Sequence, residues 1–272
     1  MSLVSTEWLD NNHSEVKIID ASWHMPNTNR NAYEEYKKEH IKNAIFFDID
    51  KFSNKKTELP HMLPNEEEWE KIVSNLGITN EDRIIVYDNS DVISSCRCWY
   101  TFIFFGHNPN LISVLNGGLL KWKKENRETT NKVSNHEKKN YKAIKISHLV
   151  KSKEEIDKNI LEKKFQVVDA RSKNRFLGLE KEPRLGVRSG SIQNSYCLPF
   201  GELINTEDKT FIEKNLIKRK FTNIGINNEK NVVFSCGSGI TAAVLGLAYS
   251  IINDKYLPAV YDGSWAEYGK IK

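Results

Sequence analysis

Of the four cysteines, Cys96, Cys98, Cys197 and Cys236, the last stands where a thiol could do chemistry. The β-rich run Val232-Val233-Phe234-Ser235 ends at Cys236, Gly237-Ser238-Gly239 follows, and Ile240-Thr241-Ala242-Ala243 opens an apolar helical pattern. Two glycines around one serine allow a tight turn. Thr241 is a reasonable cap for a helix that starts near it. Such a turn directs successive backbone N–H groups inward and forms a nest for an anion. The helix N-terminus adds partial positive charge. A cysteine placed there is expected to have a lowered pKa and to act as a thiolate. The same cradle would stabilise a persulfide anion or an oxyanion. The plainer alternative is a buried structural cysteine beside a turn, and the order strand, cysteine, Gly-Ser-Gly, helix argues against it.

The elements that must position this loop occur twice. Val16-Lys17-Ile18-Ile19-Asp20-Ala21 recurs as Gln166-Val167-Val168-Asp169-Ala170, an offset of 149 from Asp20 to Asp169. Ile84-Ile85-Val86-Tyr87-Asp88 recurs as Asn231-Val232-Val233-Phe234-Ser235-Cys236, at 148 from Asp88 to Cys236. Leu115-Asn116-Gly117-Gly118 recurs as Tyr261-Asp262-Gly263-Ser264, at 146. Three matches at nearly one offset indicate an ancient duplication whose copies are domains. Strands are expected near 16–20, 44–48, 83–88 and 111–115, then near 166–170, 195–198, 231–236 and 258–261. Helices are expected over 65–76, 94–105, 117–125 and 241–252. This alternation predicts an α/β fold in which each copy is a mainly parallel sheet with helices on both faces. The polar, aperiodic stretch 127–143 reads as a linker between a domain at 1–126 and one at 144–272. Asp88 stands where the second copy has Cys236, and the acidic loop Asp88-Asn89-Ser90-Asp91 cannot hold a thiolate in the same way. The first copy is therefore expected to lack the chemistry.

Composition excludes several classes. Hydrophobic residues make up 39% of the 272, enough for packed cores. Forty basic against 36 acidic residues leave a net charge of +4, too little to argue for nucleic acid. Charges of both signs are mixed, as on a solvated surface. The opening MSLVSTEWLD has neither the basic nor the apolar region of a secretory signal, and no apolar run approaches a membrane span. The expected compartment is the cytosol, where the cysteines are thiols. Cys96 and Cys98 have no second pair or nearby histidine for a zinc site and read as small apolar helix residues. No metal or organic cofactor is expected.

The loop Cys236-Gly237-Ser238-Gly239-Ile240-Thr241-Ala242 closely resembles the CGSGVTA loop of 3-mercaptopyruvate sulfurtransferases, a branch of the rhodanese superfamily with tandem domains; Ile240 is the only departure. The resemblance spans nearly the whole chain. His40-Ile41-Lys42-Asn43-Ala44-Ile45-Phe46-Phe47-Asp48 is similar to the family's HIPGAxFFD segment, Asp169-Ala170-Arg171 and Glu182-Pro183-Arg184 match its DAR and EPR segments, and Tyr261-Asp262-Gly263-Ser264-Trp265 matches YDGSW. Lys42-Asn43 and Ser191-Ile192-Gln193-Asn194 depart from the usual H-I-P-G, which predicts shifted turn geometry with activity retained.

The resemblance implies a sulfur carrier. Arg175 and Arg184, nine residues apart, match the family's substrate arginines, and a guanidinium fork suits a planar carboxylate. The alternative is an ion pair of Arg175 with Glu180 or Glu182; Arg171 and Arg188 read as structural. Gly237, Gly239, Ile240 and Thr241 would cradle the sulfur. Ser238 lies two residues past Cys236 and can face the substrate. The resemblance supplies Asp50 and His61 as its relay partners. Gly237 and Ser238 are neutral where thiosulfate rhodaneses place basic residues, which points to 3-mercaptopyruvate as donor, with a thiol, thioredoxin or cyanide as acceptor. A thiosulfate sulfurtransferase and a non-catalytic sulfur-relay or binding module are the alternatives. A phosphatase would need an arginine closing a C-x5-R loop, and Ala242 stands six positions after Cys236.

Overall fold

The computed structural model describes residues 2–226, 231–253 and 256–271. It divides into two compact units. The first comprises Met1–Asn54, Pro64–Ile146 and Thr206–Phe211, and the second Lys55–Leu63, Ser147–Asn205 and Ile212–Lys272.

The first unit holds a five-stranded sheet of β1 (Leu3–Val4), β2 (Lys17–Asp20), β3 (Ile45–Phe46), β4 (Ile84–Tyr87) and β5 (Ile112–Leu115) in the order β1-β5-β4-β2-β3. The second holds β6 (Val150–Lys151), β7 (Phe165–Asp169), β8 (Tyr196–Cys197), β9 (Asn231–Ser235) and β10 (Ala259–Tyr261) in the order β8-β7-β9-β10-β6. Every pairing in both sheets is parallel. The two orders are one topology, as the internal repeat requires. The sequence expectation of two α/β copies with parallel sheets holds.

The central strands are apolar because both faces are covered. All four residues of β4 and of β5 are buried, as are Val232, Val233, Phe234 and Ser235 of β9, the run expected of a parallel strand beneath helices. α1 (Ile240–Ile252) follows β9 and is buried at every position from Ile240 to Ser250 except Thr241. A helix apolar on almost all sides belongs in a core. Its Gly246 permits close approach, because a Cβ there would lie 2.7 Å from Pro258 Cβ. In the first unit, the helix Glu66–Asn75 starts with a capping box in which Asn65 and Glu68 exchange side-chain-to-backbone bonds.

Residues 127–143 carry one short element, Thr129–Thr130, which pairs antiparallel with His40–Ile41. The stretch is anchored within the first unit, where the Lys139 and Tyr141 N–H groups donate to the Ser74 carbonyl and hydroxyl. Asn43 and Asn194 adopt φ of 61° and 62°, and the turns close with Ala44 N–H to Ile41 O and Ser195 N–H to Ile192 O. Asparagine tolerates the left-handed region better than most residues, which suits it to both turns. Among the described residues, no helix is long and apolar enough to cross a membrane.

Candidate active site

β9 delivers Cys236 to the carboxyl edge of its sheet, and α1 leaves directly after the turn. The helix begins at Ile240, and its cap is Gly239 at φ 83°, with no side-chain cap hydrogen bond. The expectation of Thr241 as cap is therefore corrected. A left-handed backbone at 239 favours glycine over any residue with a Cβ. The geometry turns the Gly239 N–H onto Cys236 Sγ at 3.1 Å. Sulfur thus accepts from a backbone amide at the positive end of a thirteen-residue helix.

The loop is held from behind by the turn after β10. The Cys236 N–H donates to Ser264 Oγ at 3.2 Å, and Ser264 Oγ donates to the Tyr261 carbonyl at 2.8 Å. The Trp265 and Ala266 N–H groups donate to the Cys236 and Gly237 carbonyls, each at 2.9 Å. Cys236 is 2% exposed. Burial pushes the Cys197 thiol up to about 11 and raises Cys96 and Cys98 well above the ordinary thiol range. All three remain thiols at neutral pH.

Ser238 and His61 meet in the second unit. Ser238 Oγ and His61 Nδ1 share a buried hydrogen bond of 2.9 Å whose direction follows the histidine tautomer. His61 belongs to the stretch Lys55–Leu63, which folds with the second unit although it lies within the first copy of the repeat. Its backbone is left-handed at φ 59°, a conformation that costs about 1 kcal/mol or more for a residue with a Cβ. Asp50 lies in the first unit on the helical turn Ile49–Phe52, where its Oδ2 accepts from Trp23 Nε1 at 2.9 Å.

Arg175 sits on the short helix Lys173–Phe176, whose cap Ser172 accepts from the Arg175 N–H. A Cβ on Gly237 would lie 3.3 Å from Arg175 Nη2, so the guanidinium borders the cysteine loop. Glu182 holds it in a fork, Nε to Oε1 at 3.2 Å and Nη2 to Oε2 at 2.6 Å. Glu182 also accepts from Arg171 Nη1 at 2.7 Å, and Arg171 pairs with Asp169 at 2.7 Å and stacks over Trp265 at 4.4 Å. Two carboxylates and two guanidiniums form a balanced buried chain, which is how charges are tolerated away from water. Arg175 therefore both makes the ion pair weighed from sequence and stands at the loop. Arg184 is half-buried two residues beyond Glu182. Arg171 makes these structural contacts, and Arg188 also lies over the Trp265 ring, at 4.7 Å.

Sequence reasoning missed two contributors. Glu182 appeared only as an alternative partner, and Asp262 was read only as part of a motif. A cavity of about 620 Å³ in the second unit is lined by Phe165, Asn231 and Tyr256, at the end of the sheet opposite Cys236. Among the described residues, no group of three His, Cys, Asp or Glu side chains is placed to hold a metal.

Two parallel-sheet units of one topology, the second carrying a cysteine whose sulfur accepts a backbone N–H in a strand-to-helix loop, define a class of tandem α/β domains. The family model described as "Rhodanese-like domain" matches residues 5–125 and 152–270, and the chain belongs to that family. It is 37% identical to "Thiosulfate/3-mercaptopyruvate sulfurtransferase 1, mitochondrial" of Arabidopsis thaliana, over 98% of this chain and 75% of that one. It is 36% identical to the thiosulfate sulfurtransferase of Rattus norvegicus, over 98% and 91%. Among solved structures it is similar to the 3-mercaptopyruvate sulfotransferase SseA from Escherichia coli, with a TM-score of 0.87 and 29% identity over 97% and 99% of the two chains.

Proposed function

We propose that the protein is a sulfurtransferase that moves sulfur from 3-mercaptopyruvate through a persulfide on Cys236 to a thiol acceptor and releases pyruvate. The observation that carries this reading is the Cys236 sulfur receiving the Gly239 N–H beside the Ser238–His61 pair. In this reading the nucleophile Cys236 and the Ser238 hydroxyl share one loop, and His61, hydrogen-bonded to Ser238, is the proton carrier. Arg175 and Arg184 bind the carboxylate and ketone of the donor. The Cys236 thiolate attacks the donor sulfur, an S–S bond forms, the C–S bond breaks, and its electron pair moves into the pyruvate enolate. A proton passes through Ser238 and His61, with Asp50 as the proposed third member, and the enolate becomes pyruvate. The backbone N–H groups of Gly237, Gly239, Ile240 and Thr241 cradle the outer sulfur until a small thiol, thioredoxin or cyanide removes it. The first copy, residues 1–126, lacks the persulfide cysteine, and residues 144–272 carry it. The reading includes a cytosolic location and no nucleic-acid or membrane partner. Fractionation tests the location, since one relative is named as mitochondrial.

Thiosulfate is the second reading, favoured by relatives named thiosulfate sulfurtransferase. Pyruvate release from 3-mercaptopyruvate with a thiol acceptor, run beside thiosulfate turnover, decides between them. Faster pyruvate release supports the proposal, and faster thiosulfate turnover overturns the donor assignment. Cys236→Ser is expected to abolish both while leaving the fold intact, and turnover near wild type in that variant would end the persulfide mechanism.

A further inference from the structure

Asp262, 3% exposed, lies on the turn that follows β10. Its buried carboxylate reaches a different segment, where Oδ2 accepts the Leu63 N–H at 2.9 Å. Leu63 lies two residues past His61, in the same Lys55–Leu63 stretch of the second unit. We infer that Asp262 is a positioning residue that holds segment 61–63 so that the His61 imidazole meets Ser238.

Three observations carry the inference. First, the turn that bears Asp262 also bears the groups that hold the cysteine loop. Ser264 Oγ accepts from Cys236, and the Trp265 and Ala266 amides donate to Cys236 and Gly237. One short turn therefore fixes both the nucleophile and the segment carrying its proton partner. Second, His61 has a left-handed backbone, which persists only when surrounding contacts over-determine it. The Asp262 bond is one such contact. Third, the first unit repeats the device. Asn116, the counterpart of Asp262, uses Oδ1 to accept the Phe211 N–H at 2.9 Å. Phe211 lies 148 residues after Leu63, the offset that separates Asp88 from Cys236. Lys209, at that same offset from His61, has φ 60° against 59°. The clamp is thus a property of the fold, and the second unit uses it to carry a histidine. Asn116 also shows that one neutral side-chain oxygen suffices.

The inference rests on the proposed role of His61 as proton carrier. The test uses the full chain and the variants Asp262→Ala and Asp262→Asn. Three quantities are read: kcat and KM for pyruvate release from 3-mercaptopyruvate, the His61 ring signals in nitrogen-15 histidine NMR (assigned by their loss in His61→Asn), and the thermal unfolding midpoint. Alanine is expected to lower kcat by about tenfold or more with KM changed by less than about twofold, because a displaced proton carrier costs rate more than binding. It is also expected to shift the His61 ring signals. Asparagine is expected to restore both. Alanine with unmoved ring signals and kcat within about twofold of wild type overturns the inference, as does asparagine proving as damaging as alanine. If alanine does not fold, Asp262→Ser, whose hydroxyl stops short of the Leu63 amide, takes its place with the same expectations. If the wild type releases no pyruvate, the proposed function alone fails, and the ring signals still decide whether Asp262 positions His61.

Discussion

Replacing Glu182 by glutamine should weaken donor binding and the second unit together. The Glu182 side chain is 3% exposed and receives three guanidinium nitrogens, from Arg171 at 2.7 Å and from Arg175 at 2.6 and 3.2 Å. Glutamine keeps one oxygen and turns an NH2 group toward a guanidinium that can only donate. The chain Asp169–Arg171–Glu182–Arg175 then carries one uncompensated positive charge. Breaking one side of a buried pair costs about 3–5 kcal/mol. Arg175 is 20% exposed and Arg171 1%, and Arg171 keeps its Asp169 bonds, so a net loss of about 2–4 kcal/mol follows. For a domain of this size that lowers Tm by roughly 10 °C. Arg175, released from its fork, no longer borders Gly237 in a fixed orientation, and KM for 3-mercaptopyruvate is expected to rise about tenfold with a smaller change in kcat. Calorimetry and steady-state pyruvate release on the purified variant measure both. A midpoint within about 2 °C of wild type together with an unchanged KM would refute the argument that Glu182 orients the donor's arginine.

Ser238→Ala removes the hydroxyl paired with His61. It should lower kcat with 3-mercaptopyruvate by about a hundredfold while thiosulfate turnover changes by about threefold or less, because only the first donor leaves an enolate to protonate. Equal losses with both donors in parallel assays would refute this. Asp20, 2% exposed at the end of β2, should lower the stability of the first unit at neutral pH. Burial pushes its pKa from 3.8 up to about 6, against hydrogen bonds from Ser22 that pull it down. For a carboxyl whose folded pKa is raised, the associated stability is full below pH 3.8, falls as pH rises to about 6, and stays lost above. Both Ser22 bonds land on Oδ1, which asparagine retains. Asp20→Asn should therefore stabilise at pH 8 by up to about 3 kcal/mol and give no gain near pH 4. A difference between variant and wild type that does not vary with pH in thermal unfolding would refute it.

What the sequence disclosed and what it hid follow from the range of the forces involved. The central strands and α1 were legible because continuous apolar runs report burial on both faces, and the Cys236 loop because its glycines mark backbone turns locally. The edge strands Leu3–Val4 and Val150–Lys151 were not, since two residues carry no period. The polar helices Thr6–Asn11, Ala32–Lys38 and Lys214–Asn223 were also passed over. The pairing of His61 with Ser238 spans 177 positions, and only resemblance to a family pointed to it. Asp262 could have been found. The repeat aligns it with Asn116, and a side-chain oxygen kept at both turns is a signal of a shared hydrogen bond. The likeness of His61 to Lys209 could not be seen from the sequence, because what the two share is a backbone angle and not a side chain.

The two copies hold different side chains in one loop geometry. In the first unit the Asp88 carboxylate accepts the Ser90 N–H and hydroxyl, each at 2.8 Å, and the Ser95 N–H at 2.9 Å. The turn still gathers N–H donors toward an anion, as the fold requires, but that anion is the chain's own. The support behind the loop is the same, with the Leu119 N–H on the Asp88 carbonyl at 3.0 Å as the Trp265 N–H is on that of Cys236. Around the loop the chemistry differs. Lys209 takes the place of His61 and pairs with Asp91 at 3.2 Å, and Asp91 stands where the second unit has Gly239 to turn an amide onto sulfur. The cavity of about 200 Å³ beside this loop is lined by Arg30, Asp88, Asp91 and Lys209, charges that neutralise one another. A carboxylate that satisfies the nest cannot be extended by a sulfur atom, whereas a thiolate in the same nest can. The scaffold suits a negative charge at this point, and the residues at three positions, Asp88, Asp91 and Lys209 against Cys236, Gly239 and His61, set the two loops apart.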